Sequence, residues 1–471
     1  MDVEILARIQ FAFTVAFHYI YPPMSIGLGI VLVIMEAMYL RTKQRMYKHI
    51  TKFWVKIFAL TFAVGVATGI VMEFEFGTNW ATYSRYVGDV FGSPLAAEGI
   101  FAFFLESGFL AILVFGWNKV GPRTHFISTV MVALGATLSS VWIVVANSWM
   151  QTPAGYHIVG EGLKARAEIT DFWAVVFNPS SMQRLTHVIL GAWLTGAFVV
   201  ISISAYYLKK KLHEEFAIRS MKIGLVVAFV AMGLQFISGH SSGNGVAKNQ
   251  PEKLAAFEGH FQENAPADLY LFGWVDSENQ KTKGIAVPKM LSFLVHGSTD
   301  APIKGLKSFP KEDLPPVQSS FQFYHLMLVC AFLMTLICIA AGWLWFRGKL
   351  WTNKTMLNIL TLSVILPHIA NQAGWFAAEV GRQPWIVYKM LRTSEALSKS
   401  VTANQVLSSL IMFGLVYLLL FVLFLFLLNE KVKAGPFAKA DTSEEYRDTG
   451  EDVAPWVNKI TRERVETTNG Q

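Results

Sequence analysis

Charge is scarce in this sequence and cysteine nearly absent. Of 471 residues only 15% are Asp, Glu, Lys or Arg, against 53% hydrophobic. That balance excludes a soluble globular domain and defines an integral membrane protein. The two cysteines, Cys330 and Cys338, lie eight positions apart in one apolar run. On a helix that is about 12 Å, too far for a disulfide, so they say nothing about redox compartment. There is no Cys-x-x-Cys-His, which excludes covalent c-type haem attachment, and no P-loop glycine pattern, which excludes an ATP-driven pump of that kind. No Cys/His metal cluster is visible, and no GxGxxG follows a strand. A cleavable signal peptide is not expected, because the first apolar run, Phe11 to Tyr39, is too long and lacks a small-residue cleavage site.

What the chain has instead is apolar runs near residues 10–39, 53–73, 95–116, 126–147, 186–207, 221–239, 322–346, 356–378 and 405–429. A span needs about 20 residues to cross some 30 Å, so the pattern predicts nine transmembrane helices in an all-α membrane protein. The net charge of +7 gathers in short connectors: Arg41 to Lys52 after the first span, Lys119 and Arg123 after the third, Lys209 to Lys222 after the fifth, Arg347 and Lys349 after the seventh. Such loops are cytoplasmic, which places the N-terminus outside and the C-terminus inside and leaves no role for nucleic acid. Residues 241–320 form a polar excursion on the outer face, long enough to be functional, with Phe257 and Leu269 to Trp274 arguing for partial order. The membrane part runs over 1–430, and 431–471 reads as a polar cytoplasmic tail.

Polar residues inside the spans ask for a reason, since an ionisable group there costs about 2.5–3.5 kcal/mol on insertion scales. His18 lies midway in the first span, followed by Pro22 and Pro23, which should kink or end the helix. His187 opens the fifth span and Met327 the seventh. A lone buried histidine is usually satisfied by a neighbouring carbonyl, but a His and a Met on different helices can together close the axial positions of a low-spin haem. Glu98 and Glu106 share the third span, two turns apart on roughly one face, and read either as a proton relay or as interfacial carboxylates, the latter fitting Glu98 near the end. Ser139 and Asn147 on the fourth span continue such a path or join helices. The stretch GWFAAEVGRQPW, Gly374 to Trp385, puts Glu379 and Arg382 at the end of a long apolar run. Its plain reading is an interfacial anchor, with Trp375 and Trp385 in the headgroup belt, Arg382 snorkelling to phosphate and Glu379 its salt-bridge mate.

These residues, in this order, resemble subunit I of the cytochrome bd-type quinol oxidases. The match runs from Arg8 to about residue 430. It is carried by GRQPW at Gly381 to Trp385, GWFxxE at Gly374 to Glu379, LARxQF at the start, FHYIYPP around His18, GTNWATYSRYVGDVFGSPLAAE, NSWMQTP at 147–153 and QPEKLAAFEG at 250–259. The resemblance implies a quinol-oxidising, O2-reducing enzyme of the bacterial cytoplasmic (inner) membrane. His187 and Met327 match the axial pair of a low-spin haem b. His18 and Glu379 match ligands of two high-spin haems, one b and one d, or a further b in place of d. Glu98, Glu106 and Ser139 match the proton path, Trp375 an aromatic among the haems, and Lys253 and Glu258 the quinol-linked positions of the outer loop, here the short type of Q-loop. Arg382 belongs to the same haem-binding signature. Electrons from quinol and protons from the cytoplasm would then separate charge without pumping, in company with a second membrane subunit and sometimes a small single-span one. The family commonly has arginine two residues before the axial methionine, where this chain has His325, itself a possible competing ligand. A haem-free proton-coupled transporter and a di-haem electron-transfer subunit fit parts of the polar pattern; the motif set favours the oxidase over both.

Overall fold

The computed structural model describes residues 2–263 and 265–437. Nine helical spans among the described residues are long and apolar enough to cross a membrane. The first is broken into α1 (Val3–His18) and α2 (Tyr21–Thr42), with Tyr19 and Ile20 between them. Pro22 and Pro23 cause the break, because neither has an N–H to offer the preceding turn, and His18 becomes the last residue of α1. Then follow α3 (Arg45–Thr78), α4 (Ala81–Ala97) continuing through a π-helical turn at Glu98–Phe103 into α5 (Phe104–Phe115), and α6 (Pro122–Gln151). A small hairpin, β1 (Tyr156–Val159) with β2 (Arg166–Ile169), and a short α7 (Phe172–Val176) lead to α8 (Ser181–Lys210) and α9 (Glu214–Asn249).

The long connector holds α10 (Pro251–Phe257), the antiparallel hairpin β3 (Leu269–Asp276) and β4 (Lys281–Val287), and α11 (Met290–His296). It ends at α12 (Val317–Phe346), which is followed by α13 (Lys354–Leu362) and α14 (Ile365–Val380), together the eighth span. A two-strand turn, β5 (Trp385–Val387) with β6 (Leu391–Arg392), precedes α15 (Ala403–Ala434). The connector therefore begins at Gln250 rather than 241. Residues 241–249, SSGNGVAKN and by composition a loop, stay helical because α9 lies flat on α8: a Cβ at Gly239 would meet the His187 ring, and one at Gly245 the Gln183 amide. Tertiary packing overrides the poor helix propensity of glycine there. The expected cytoplasmic tail is helical to Ala434, and residues 438–471 lie outside the described residues.

Burial separates centre from periphery. In its most apolar stretch α8 is 78% buried and α15 only 11%. α2 and α8 cross with backbones in contact, where a Cβ on Gly27 would run into Ala192 and Gly196 and one on Gly196 into Gly27. Close approach of small residues is how membrane helices gain contact without a hydrophobic drive between them. Gly196→Ala is expected to lower the melting temperature of the purified protein, overpacking of this kind costing about 1–3 kcal/mol. Gly77→Ala, which faces open space, should leave it unchanged, and equal melting of both variants would contradict the close crossing.

Candidate functional site

Glu379, on the last turn of α14, sits at the centre of a buried polar cluster. Its Oε2 accepts from Arg382 Nη2 at 2.5 Å. Its Oε1 accepts from Asn147 at 3.0 Å and Gln151 at 3.4 Å, both on α6. Arg184 of α8 donates to the Asn147 carbonyl oxygen, and Lys253 of α10 donates to Gln151 at 2.7 Å and Gln250 at 3.2 Å. Three cations thus surround one carboxylate where three spans and the long connector meet. Arg382 is only 4% exposed, so it does not snorkel to the headgroups; its ion pair with Glu379 is internal. The excess charge shows in the connector: burial, and then the nearby Arg184, hold the Lys253 ammonium well below its usual range. Burial pushes Glu258, faced by the Tyr324 hydroxyl, up to about 8. Both expected quinol-linked residues are thus enclosed, Lys253 2% and Glu258 1% exposed.

A second group lies deeper. His18 places Nδ1 3.0 Å from Thr68 Oγ1. That hydroxyl donates to the Val64 and Gly65 carbonyls, so it accepts from the ring, fixes the Nδ1–H tautomer and leaves Nε2 bare. The Gly69 Cα faces the same ring, where a Cβ would approach Cε1 to 3.2 Å. His187 sits near Gln235 (3.2 Å) and Ser238 (3.4 Å) of α9. Met327 on α12 packs its sulfur on Gly374, where a Cβ would stand 2.9 Å away. Asn371 of α14 bonds Thr195 of α8 at 2.8 Å and lies against Gly191. One turn back along α8 is His187 and one turn on along the antiparallel α14 is Gly374, so His187 and Met327 lie at about one depth. Trp375 is half-buried beside them, its ring 4.9 Å from Phe376, which stacks on Phe323 of α12.

The third group is the carboxylate pair. Ser139 donates to Glu98 at 2.7 Å, and Glu106, 5% exposed, lies against Gly135 one turn along α6. In an ideal helix eight residues leave an offset of about 80°; the π turn absorbs an extra residue and reduces it to roughly 20°. Both carboxylates therefore face the same side of α6. Glu98 lies mid-way along the Ala81–Phe115 helix, which α4 extends beyond the apolar window despite Pro94. His325 turns its nitrogens to backbone carbonyls, Nδ1 to Phe321 and Nε2 to Tyr270, each at 2.9 Å.

Several members escape sequence reading. Arg184 and Gln151 stand in span ends whose composition suggests interfacial residues; the signal was their regular spacing from Asn147 and His187. Glu73 of α3 faces Glu98. Glu36 and His125, each 1% exposed, form a pair 2.7 Å apart that Thr129 completes, linking α2 to α6.

The residues fit haem. His18 Nε2 and the Met327 sulfur have no hydrogen-bond partner among the described residues, and glycines at 69, 239 and 374 keep side chains off the rings and sulfur. Glu379 accepts three bonds of about four that a carboxylate can take, leaving one for a metal. Arg184 Nε and Arg382 Nη1 are buried without partners, as donors awaiting carboxylates such as haem propionates would be.

Fold and site define a polytopic helical membrane protein with imidazole, thioether and carboxylate donors turned inward. The family model for cytochrome bd terminal oxidase subunit I matches residues 6–436. Cytochrome bd ubiquinol oxidase subunit 1 of Bacillus subtilis (strain 168) is 40% identical over 446 residues, 92% of this chain and 94% of that one. Cytochrome bd-II ubiquinol oxidase subunit 1 of Escherichia coli (strain K12) is 35% identical over 93% of this chain and 98% of that one. The bd oxidase structure from Geobacillus thermodenitrificans superposes with a TM-score of 0.86 at 30% identity, covering 92% of this chain and 99% of that one. The chain belongs to the cytochrome bd terminal oxidase subunit I family and is a subunit of a haem-containing terminal oxidase.

Removing the central carboxylate would strand three buried cations. Glu379→Ala is expected to destabilise the purified complex by about 3–5 kcal/mol, read as a lowered melting temperature, with Glu379→Gln losing less because it keeps an oxygen for Asn147. An unchanged melting temperature for the alanine variant would show that the cluster is not held by Glu379.

Proposed function

We propose that this chain oxidises quinol at the outer face and reduces O2 to water with protons drawn from the cytoplasm, building a proton motive force without a pumping step. The observation that carries this reading is that the donors haem needs gather around α14, with the Glu98–Ser139 hydrogen bond and the buried Glu106 against α6. His187 and Met327 would hold a low-spin haem b, and His18 and Glu379 would hold two high-spin haems, one b and the other d or a further b. Bound there, the haems supply one-electron storage and, at a high-spin iron with an open position, oxygen binding.

The chain's own residues do the rest. Thr68 orients the His18 ring, and Asn147 and Gln151 orient the Glu379 carboxylate. Arg184 and Arg382 offer their partnerless N–H groups to anionic substituents. Lys253 and Glu258 bind quinol, and Glu258, neutral below about pH 8, takes up a proton only once it has lost its own to the outer side. Glu106, Ser139 and Glu98 carry protons from the cytoplasmic half, Ser139 bridging by its hydroxyl. Trp375 would pack beside the haem that His187 and Met327 would hold. The positive connectors support an N-terminus outside and a C-terminus inside. The weakly buried faces of α3, α5 and α15 suit a second membrane subunit, with room for a small single-span one, in a bacterial inner membrane.

Glu106→Gln tests the relay. Oxygen consumption with quinol should fall at least tenfold while the haems remain spectrally present and reducible. Full turnover would make Glu106 structural.

A further inference from the structure

The long connector carries an apolar surface that neither haem nor quinol chemistry explains. In the β3–β4 hairpin, Phe272 pairs with Ile285, Gly273 with Gly284 and Trp274 with Lys283. Directly paired residues share a face. One face is thus thin, with Gly273 against the Phe321 ring of α12 and Val275 buried beside it. The other presents Phe272 (57% exposed), Ile285 (65%) and Trp274 (66%) with Lys283.

Depth is fixed by α12. Val275 N–H donates to Gln318 at 2.7 Å, Gln322 donates to the Gly273 carbonyl at 2.9 Å, and His325 holds the Tyr270 carbonyl at 2.9 Å. β3 therefore descends along the first two turns of α12, with Tyr270 deepest. Arg347 marks the far end of that span, and about 20 residues at 1.5 Å each cover the hydrocarbon core. The core boundary falls near residue 327, within one turn of the level of Tyr270. Phe272, Trp274 and Ile285 lie just above it, continuous with the exposed Leu326, Phe332 and Leu333 of α12. The hairpin tip, with Asp276, Glu278 and Lys281, is charged and points away from the membrane. Polarity runs along the hairpin from water to lipid.

We propose that the free face of this hairpin is a membrane-seated surface, with Phe272, Trp274 and Ile285 in the headgroup region and Lys283 at the phosphates, as an aromatic and lysine belt would sit. The hairpin anchors the connector that carries Lys253 and Glu258. The proposal stands on depth and exposure, independently of the chemistry assigned to those residues.

The test uses the complete haem-loaded oxidase in nanodiscs of phosphatidylcholine and phosphatidylglycerol. Ile285→Cys, Phe272→Cys and Lys281→Cys are each labelled with a fluorophore, the labelled unsubstituted complex giving the background, since Cys330 and Cys338 are buried. A phospholipid with a nitroxide near its headgroup should quench positions 285 and 272 at least threefold more than 281, and aqueous iodide should show the reverse. Equal iodide access at all three positions would place the face in water, and protection of 285 and 272 from both quenchers would place a protein subunit over it; either result overturns the proposal. Unchanged haem spectra check that each variant is folded, and two positions on opposite strands keep the test decisive if one is not.

Discussion

A single buried carboxylate organises this molecule. Glu379 accepts from Arg382, Asn147 and Gln151, while Arg184 and Lys253 reach it through Asn147 and Gln151. A charge in so dry a place is tolerable only when its partners are all present, and removing any one leaves the others uncompensated. α6, α8, α14 and the start of the long connector are thereby tied at one level. The tie has a positive excess, which an anionic prosthetic group is suited to balance.

The rest of the site is made by withholding side chains. Gly69 and Gly374 stand where a Cβ would press on His18 and Met327, and Gly239 where one would lie in contact with His187. Gly135 does the same for Glu106, and Gly27 with Gly196 brings α2 onto α8. Two irregularities aim the remaining groups. The proline pair ends α1 at His18 and exposes its ring, and the π turn at Glu98–Phe103 rotates two glutamates onto one side. Neither is a defect in an otherwise regular bundle; each sits where a polar side chain must point inward.

Much of this was legible in the residues. Apolar runs gave nine spans, Pro22 and Pro23 gave the break, and intramembrane His and Glu marked the interior because the bilayer core tolerates them poorly. The ends of spans were not legible, since α3 and α9 continue as helices well past their apolar windows, α9 through three glycines held flat on α8. Arg184, Gln151, Glu73 and the Glu36–His125 pair were hidden for a related reason: near a span end, composition cannot tell a buried partner from an interfacial anchor. Arg382 shows the same ambiguity settled by burial. His325 shows its converse, a histidine beside a ligand position whose two nitrogens are taken by backbone carbonyls.

The central claim is that inward-facing donors on α1, α8, α12 and α14 exist to hold haem. The most direct measurement is a dithionite-reduced minus air-oxidised optical spectrum of the purified complex, beside that of His187→Ala. The account predicts b-type bands in the unsubstituted protein and loss of the low-spin b component alone in the variant, with the other haems retained. An unchanged variant spectrum would remove His187 from the ligand set, and a complex without haem bands would contradict the account as a whole.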